Sequence, residues 1–128
     1  DPAYRAGLTG LEDFSHAFVL WWAHGADSPA DRARLVEPRP YTGSSGEVGI
    51  FGSRSPSRVN PIGLSLIAIA EVDVDSGVIR TPYIDTDPGT PVIDIKPFIP
   101  GYDSTDDGKI PEWLEQGLKK RRETEGQR

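Results

Sequence analysis

The stretch "FSHAFVLWWAH", residues 14–24, decides how this chain folds. Its aromatic and branched side chains suit a pleated, covered surface, so it reads as a largely buried β-strand. The apolar run inside it, "AFVLWWA" (17–23), is the longest in the sequence. That is strand length, well short of the roughly 20 apolar residues that cross a bilayer, and a soluble protein without a membrane partner is expected. His16 and His24 are eight apart and would project to one face of the strand. His16 reads as packed or hydrogen-bonded and His24, at the strand end, as a candidate site residue. Two imidazoles without a third ligand nearby make no metal centre, so no metal is expected.

On the N-terminal side, "AYRAGLTGLED" (3–13) reads as a short helix or irregular entry. On the C-terminal side, residues 25–46 carry Gly25, Pro29, Pro38, Pro40, Gly43 and Gly46 with few large apolar side chains, which predicts a long functional loop. "EVGIF" (47–51) is a short strand and "SRSPSRVNPIGLS" (53–65) a second loop. "LSLIAIAEVDV" (64–74) reads as one strand, "DSG" (75–77) as a hairpin turn using Gly77, and "VIRTPYID" (78–85) as the return. "PVIDI" (91–95) is expected to be a last central strand, after which "KPFIPGYDS" is too rich in proline to extend a ladder. "PEWLEQGLKKRR" (111–122) starts on Pro111, places acids early and bases late, and sets Trp113, Leu114 and Leu118 on one side. It is a short amphipathic C-terminal helix followed by a frayed tail. The pattern is mainly β. Without βαβ alternation, a G-x-G-x-x-G turn or a P-loop, a doubly wound nucleotide fold is disfavoured.

The 128 residues, 36% hydrophobic and 27% charged, fit one domain. Cysteine is absent, which removes disulfides, zinc thiolates, iron–sulfur clusters and thiol nucleophiles. The chain opens on Asp1 and holds no methionine, so its natural start is expected to be missing. A net charge of −6 opposes broad nonspecific phosphate binding. A local basic patch remains open through Arg32, Arg34 and Arg39, through Arg54 and Arg58, and through "KKRR" (119–122).

Chemistry concentrates in two stretches. In 53–65, Pro56 and Pro61 stiffen a loop carrying Arg54 and Arg58, whose planar forks suit carboxylate or phosphate. Asn60 can both donate and accept, as a base or ribose edge requires, and Gly63 would let a ligand approach the backbone. In "DTDPGTPVIDIKP" (85–97), Asp85 and Asp87 precede a Pro88-Gly89 turn, and Asp94 sits in an apolar strand with Lys96 on its own face.

Together, "GLEDFSHAFVLWWAH", "FGSRSPSRVNPIGLS" and "DTDPGTPVIDIKPFIPGYDS" resemble the TrmO family, also called TsaA-like or YaeB-like. The resemblance covers roughly residues 4–104. It implies a small barrel-like mixed sheet over residues 1–110, with helix and tail at 111–128 and an N-terminal strand missing. It also implies a homodimer and a cytoplasmic enzyme that uses S-adenosylmethionine to methylate N6 of threonylcarbamoyladenosine beside the tRNA anticodon. Carried over by position, Arg54, Ser55, Arg58, Asn60, Pro61, Ile62, Gly63 and Ser65 match the family loop. Asp94, Ile95 and Lys96 match its D-I-K-P segment, Asp103 and Ser104 that segment's end, and His24 and Arg39 flank the long loop. The implied catalytic set is Arg54, Arg58, Asn60 and Asp94. The implied cofactor set is His24, Ser55, Asn60, Ile62, Gly63, Leu64 and Ser65. Arg39, Lys96, Asp103 and Ser104 would meet the substrate. Val59 stands where the family pattern carries proline. Two other readings keep the cofactor: methylation of a small molecule or another RNA, and a silent module that only binds it.

Overall fold

The computed structural model describes residues 1–41 and 44–126. In chain order these form β1 (His16–Trp22), α1 (Pro29–Arg32), β2 (Val36–Pro38), β3 (Glu47–Gly49), β4 (Ile62–Ala68), β5 (Glu71–Asp73), β6 (Val78–Arg80), β7 (Val92–Pro97) and α2 (Glu112–Gly126). Short 3-10 turns lie at Pro2–Leu8, Leu11–Asp13 and Ile50–Gly52.

The aromatic stretch is the centre of the molecule. β1 is the middle strand of a three-stranded sheet ordered β4-β1-β7, and both pairings are antiparallel. Val19 sits opposite Ser65 on one side and Ile95 on the other. The side chains that alternate onto one face, Ala17 and Val19 of β1 with Ile67 of β4, form the buried core together with Leu11 from the N-terminal turns. Val72 and Ile79 of the β5–β6 ribbon pack against them. Burying these methyl-rich side chains is the main term holding the elements together. The other face is open, and its Ile62, Leu64 and Leu66 are exposed.

Several expectations change. Every strand pairing is antiparallel, so the sheet is not mixed, and among the described residues no sheet closes into a barrel. Residues 64–74 are two strands. Ile69 donates its N–H to the Ser15 carbonyl and Ala70 donates to Arg80, so the chain leaves β1 and takes β6 as partner. The hairpin at 75–77 forms with Gly77 at φ 71°, but the return strand stops at Arg80. β7 is an edge strand, not a central one, and it continues through Pro97, which faces Ala17. An edge strand offers only one side to the ladder, so a residue lacking an N–H is tolerated there. The segment 25–46 is not a plain loop, because it contains α1 and β2, and β2 pairs with β3. Gly43 lies outside the described residues. α2 runs past the expected frayed point to Gly126, while 127–128 lie outside the described residues. Helix α2 docks by its buried Gly117 against Tyr41, and its Trp113 ring receives the Arg39 guanidinium at 5.4 Å. No described helix is long and apolar enough to cross a membrane.

A core confined to one face of a small sheet has few side chains to spare. Ile67→Ala is therefore expected to lower the unfolding free energy by about 2–4 kcal/mol in urea titrations followed by circular dichroism. A loss under about 1 kcal/mol would mean that the core lies elsewhere.

Candidate functional site

Residues 53–61 run from the 3-10 turn at Ile50–Gly52 into β4 and line one side of a cleft of about 1230 Å³. The segment 83–90, between β6 and β7, supplies further lining, and β4 with the end of β1 completes it. The cleft is of the size that holds a nucleotide-sized ligand together with a second group.

Trp21 sets the geometry of β4 beside the cleft. Its ring lies against Gly63, where a Cβ would come within 2.1 Å of the indole Cε2, and its Nε1–H donates to Ser65 Oγ at 2.9 Å. The space at Gly63 is thus filled by an indole from the neighbouring strand, instead of being left for a ligand as the sequence suggested. At the end of the 53–61 loop Pro61 is fully buried, and its carbonyl accepts the Ala23 N–H at 2.8 Å.

Along its length the loop is braced from within and from α1 and β2. Ser53 donates its hydroxyl to the Glu37 carboxylate and accepts the Ser55 N–H at 3.0 Å. Arg58 Nη1 donates to the carbonyls of Ser53 at 2.8 Å and Ser55 at 3.3 Å. Ser57 donates to Asp31 Oδ1 at 2.8 Å, and Ser28, the N-cap of α1, donates to Asp31 Oδ2 at 2.5 Å. Those two hydroxyls hold the Asp31 carboxyl below its ordinary value. Arg32 Nε donates to the Val59 carbonyl at 2.9 Å.

Of the residues singled out from sequence, His24, Arg54, Arg58, Asn60 and the β4 residues Ile62 to Ser65 line the cleft. Ser55 is not among the lining residues. Arg54 is exposed and makes no ion pair among the described residues, whereas Arg58 is spent on its own loop. Asp94 and Lys96 pair with each other at 3.3 Å on the open sheet face, outside the lining. Arg39 donates to the Ser45 carbonyl at 2.9 Å and stacks on Trp113. Asp103 accepts the Ile99 N–H at 2.8 Å and Ser104 accepts the Gly101 N–H at 3.2 Å, so both shape the turn after β7. Arg34 pairs with Glu37 at 3.8 Å, and the arginines through which a local basic patch remains open in the sequence are dispersed among separate contacts. β1 stops at Trp22, so His24 lies in the following turn and does not share a strand face with His16. Among the described residues no three metal-ligating side chains come together.

The sequence reading missed part of the lining: Trp21, Phe51 and Tyr83, and it gave Asp85 and Asp87 no role. Phe51 is 83% and Tyr83 72% exposed, a degree of exposure that composition cannot foretell. The cleft therefore sets arginine and asparagine on one segment against two carboxylates on another, with aromatic surface at hand. It can hold a ligand that carries positive and negative charge at different ends.

A model of the tRNA-methyltransferase O N-terminal domain matches residues 1–104. A probable S-adenosyl-L-methionine-binding protein of Pyrococcus abyssi is 34% identical over 93% of this chain and 60% of its own length. One of the same description from Methanothermobacter thermautotrophicus is 41% identical over 80% of this chain and 69% of its own. The Escherichia coli tRNA (adenine(37)-N6)-methyltransferase is 39% identical over 78% of this chain and 43% of its own. A crystal structure of TrmO superposes with a TM-score of 0.67 at 30% identity, over 86% of this chain and 46% of that one. The Pseudomonas aeruginosa TrmO structure gives 0.64 at 29%, over 85% and 43%. The chain thus spans 60% of the Pyrococcus relative and less than half of each solved structure.

Two outcomes follow from the cleft. Gly63→Ala is expected to force the Trp21 ring aside and to cost about 1–3 kcal/mol, seen as a lower thermal midpoint and altered near-ultraviolet dichroism. An unchanged dichroism spectrum would contradict the packing. Asp31, held below 3.8, stabilises the loop at pH above that value and ceases to do so as pH falls through its lowered value. Asp31→Asn should accordingly be less stable than the parent at neutral pH, with the gap closing as pH falls below 3.8. A gap that is constant with pH would refute the assignment.

Proposed function

Because the chain belongs to the tRNA-methyltransferase O N-terminal domain family, we propose that its cleft binds S-adenosyl-L-methionine and serves methylation of N6 of adenine-37 in tRNA, at threonylcarbamoyladenosine. The observation that carries the reading is the cleft formed by 53–65 and 83–90, with Arg54 and Asn60 on one segment and Asp85 and Asp87 on the other. The donor set fits the cofactor. Carboxylates suit its cationic sulfonium and ammonium groups, and an asparagine amide suits the adenosyl edge.

When bound, S-adenosyl-L-methionine supplies an electrophilic methyl group on a positively charged sulfur. This chain's residues then have to align and desolvate, since such transfer depends on geometry more than on a protein nucleophile. Asn60, His24 and the outer edge of β4 at Ile62, Gly63, Leu64 and Ser65 hold the adenosyl portion. Arg54 offers its free fork to the carboxylate or phosphate of the modified nucleoside. Arg58, with Ser55, keeps that segment in shape. Asp94, Arg39, Lys96, Asp103 and Ser104 lie outside the lining, so the reading gives them a part only where RNA or a second subunit meets the surface. A second copy is read as seated beside the cofactor, over the exposed Leu66 and the adjoining open face of the sheet, which would also bring the sheet toward a barrel-like form. A tRNA substrate makes the cytoplasm the expected location.

Calorimetric titration with S-adenosyl-L-methionine, followed by transfer of labelled methyl to bulk tRNA, tests the reading. Binding and transfer are expected, and Arg54→Ala should lower transfer about 10–100-fold, the cost of losing a charge-assisted contact. Binding without transfer favours the silent module, in keeping with relatives named only for binding. Transfer to small acceptors but not to tRNA favours the small-molecule reading.

A further inference from the structure

We propose that Arg32 is a positioning residue: it fixes the Asn60 side chain as a hydrogen-bond donor toward the cleft, and so selects an acceptor atom on the ligand. The ligand's identity rests on the reading above, but the observations are local. Arg32 stands on α1, with its guanidinium 5.6 Å over the Trp22 ring. Trp22 is itself held, since its Nε1–H donates to Asp27 Oδ2 at 2.9 Å. From that platform Arg32 Nε donates to the Val59 carbonyl at 2.9 Å, and Nη2 reaches Asn60 Oδ1 at 3.4 Å.

A guanidinium has only donors, so the atom it meets on Asn60 is the amide oxygen. Once that oxygen is engaged, the free end of the amide is its NH2, and Asn60 lines the cleft. The ligand atom opposite must therefore accept. A ring nitrogen of adenine or a ribose oxygen qualifies, and the exocyclic amine of adenine does not.

The same contact explains how this loop manages with Val59. Proline would lock φ at that position, whereas valine leaves it freer. Here the Val59 carbonyl is tied to Arg32 instead. Among the described residues the Val59 N–H has no acceptor, so a proline there would forfeit no bond. Arg32 and a proline at 59 are thus alternative ways of holding the backbone just before Asn60.

The test compares Arg32→Ala, Arg32→Lys, Asn60→Ala, the Arg32→Ala/Asn60→Ala pair and the Arg32→Ala/Val59→Pro pair with the parent chain. Its readouts are S-adenosylhomocysteine affinity by calorimetry, KM and kcat in labelled transfer, and the side-chain amide signal of Asn60. Asn60 is the only asparagine in the chain, so that signal is assigned by its loss in Asn60→Ala. Arg32→Ala is expected to weaken S-adenosylhomocysteine binding and raise KM by about tenfold, with kcat within about twofold. Arg32→Lys should fall with it, because a compact ammonium lacks the fixed planar fork that reaches Val59 and Asn60 while lying over the Trp22 ring. Val59→Pro should restore only the part of the affinity that backbone order supplies and leave the Asn60 amide signal displaced, and Arg32→Ala should add little on top of Asn60→Ala. Affinity unaltered in Arg32→Ala overturns the proposal, as does a loss that is additive with Asn60→Ala or that Val59→Pro restores in full. If the parent chain binds no S-adenosylhomocysteine, the cofactor reading fails. The Asn60 amide signal then decides alone: a shift in Arg32→Ala upholds the positioning role, and an unmoved signal rejects it.

Discussion

The indole of Trp21 occupies the place that a side chain at residue 63 would need, and much of the structure depends on that exclusion. It ties the central strand to β4 in one register. A slip of one residue would set Ile62 or Leu64 under the ring and turn the Ser65 hydroxyl away from the indole N–H. Register in turn decides which residues of β4 reach the buried face and which line the cleft. The core residue Ile67 and the cleft residue Ser65 are therefore fixed by one packing event.

The loop before β4 is ordered by a different device. Few of its side chains are buried, and its shape comes from hydrogen bonds to Glu37, Asp31 and Arg32 and from the carbonyls that Arg58 gathers. Each such bond contributes on the order of 1 kcal/mol, so no one of them holds the loop. Acting together with Pro56 and Pro61, they reduce the conformational freedom that a ligand would otherwise have to remove. The segment 25–46 thus takes part in the cleft without lining most of it, acting through α1 and β2.

The central strand, the hairpin at Gly77, the C-terminal helix and the chemical character of 53–65 were legible in the sequence, because each depends on neighbours in the chain. Periodicity, turn residues and end-capping are local properties. What could not be read involved distant partners. Asp31 bonds to Ser57 and Arg32 to Val59 across long separations, and neither residue differs from an ordinary surface charge on paper. β7 misled for a related reason. The alternation along "IDIK" holds, with Asp94 and Lys96 on one face, but only the distant strand β1 on one side and no strand on the other, among the described residues, make β7 an edge. The break after Ala68 is also invisible locally, because Ile69 and Ala70 are as strand-prone as the residues before them. Only the change of partner from β1 to β6 ends the strand. For the site, Arg39, Asp94, Lys96, Asp103 and Ser104 could be named by motif, but the sequence carried nothing about how far from the cleft they would lie.

The place of β1 in the middle of its sheet also has a consequence for synthesis. This strand leaves the ribosome before either of its neighbours, with about 40 residues still to come before β4 and about 70 before β7, which at cellular rates is a delay of several seconds. Throughout that time the most apolar segment of the chain has no ladder partner. Transiently unpaired apolar strands are the aggregation-prone species of folding chains, so the least forgiving moment for this protein comes before the cleft exists.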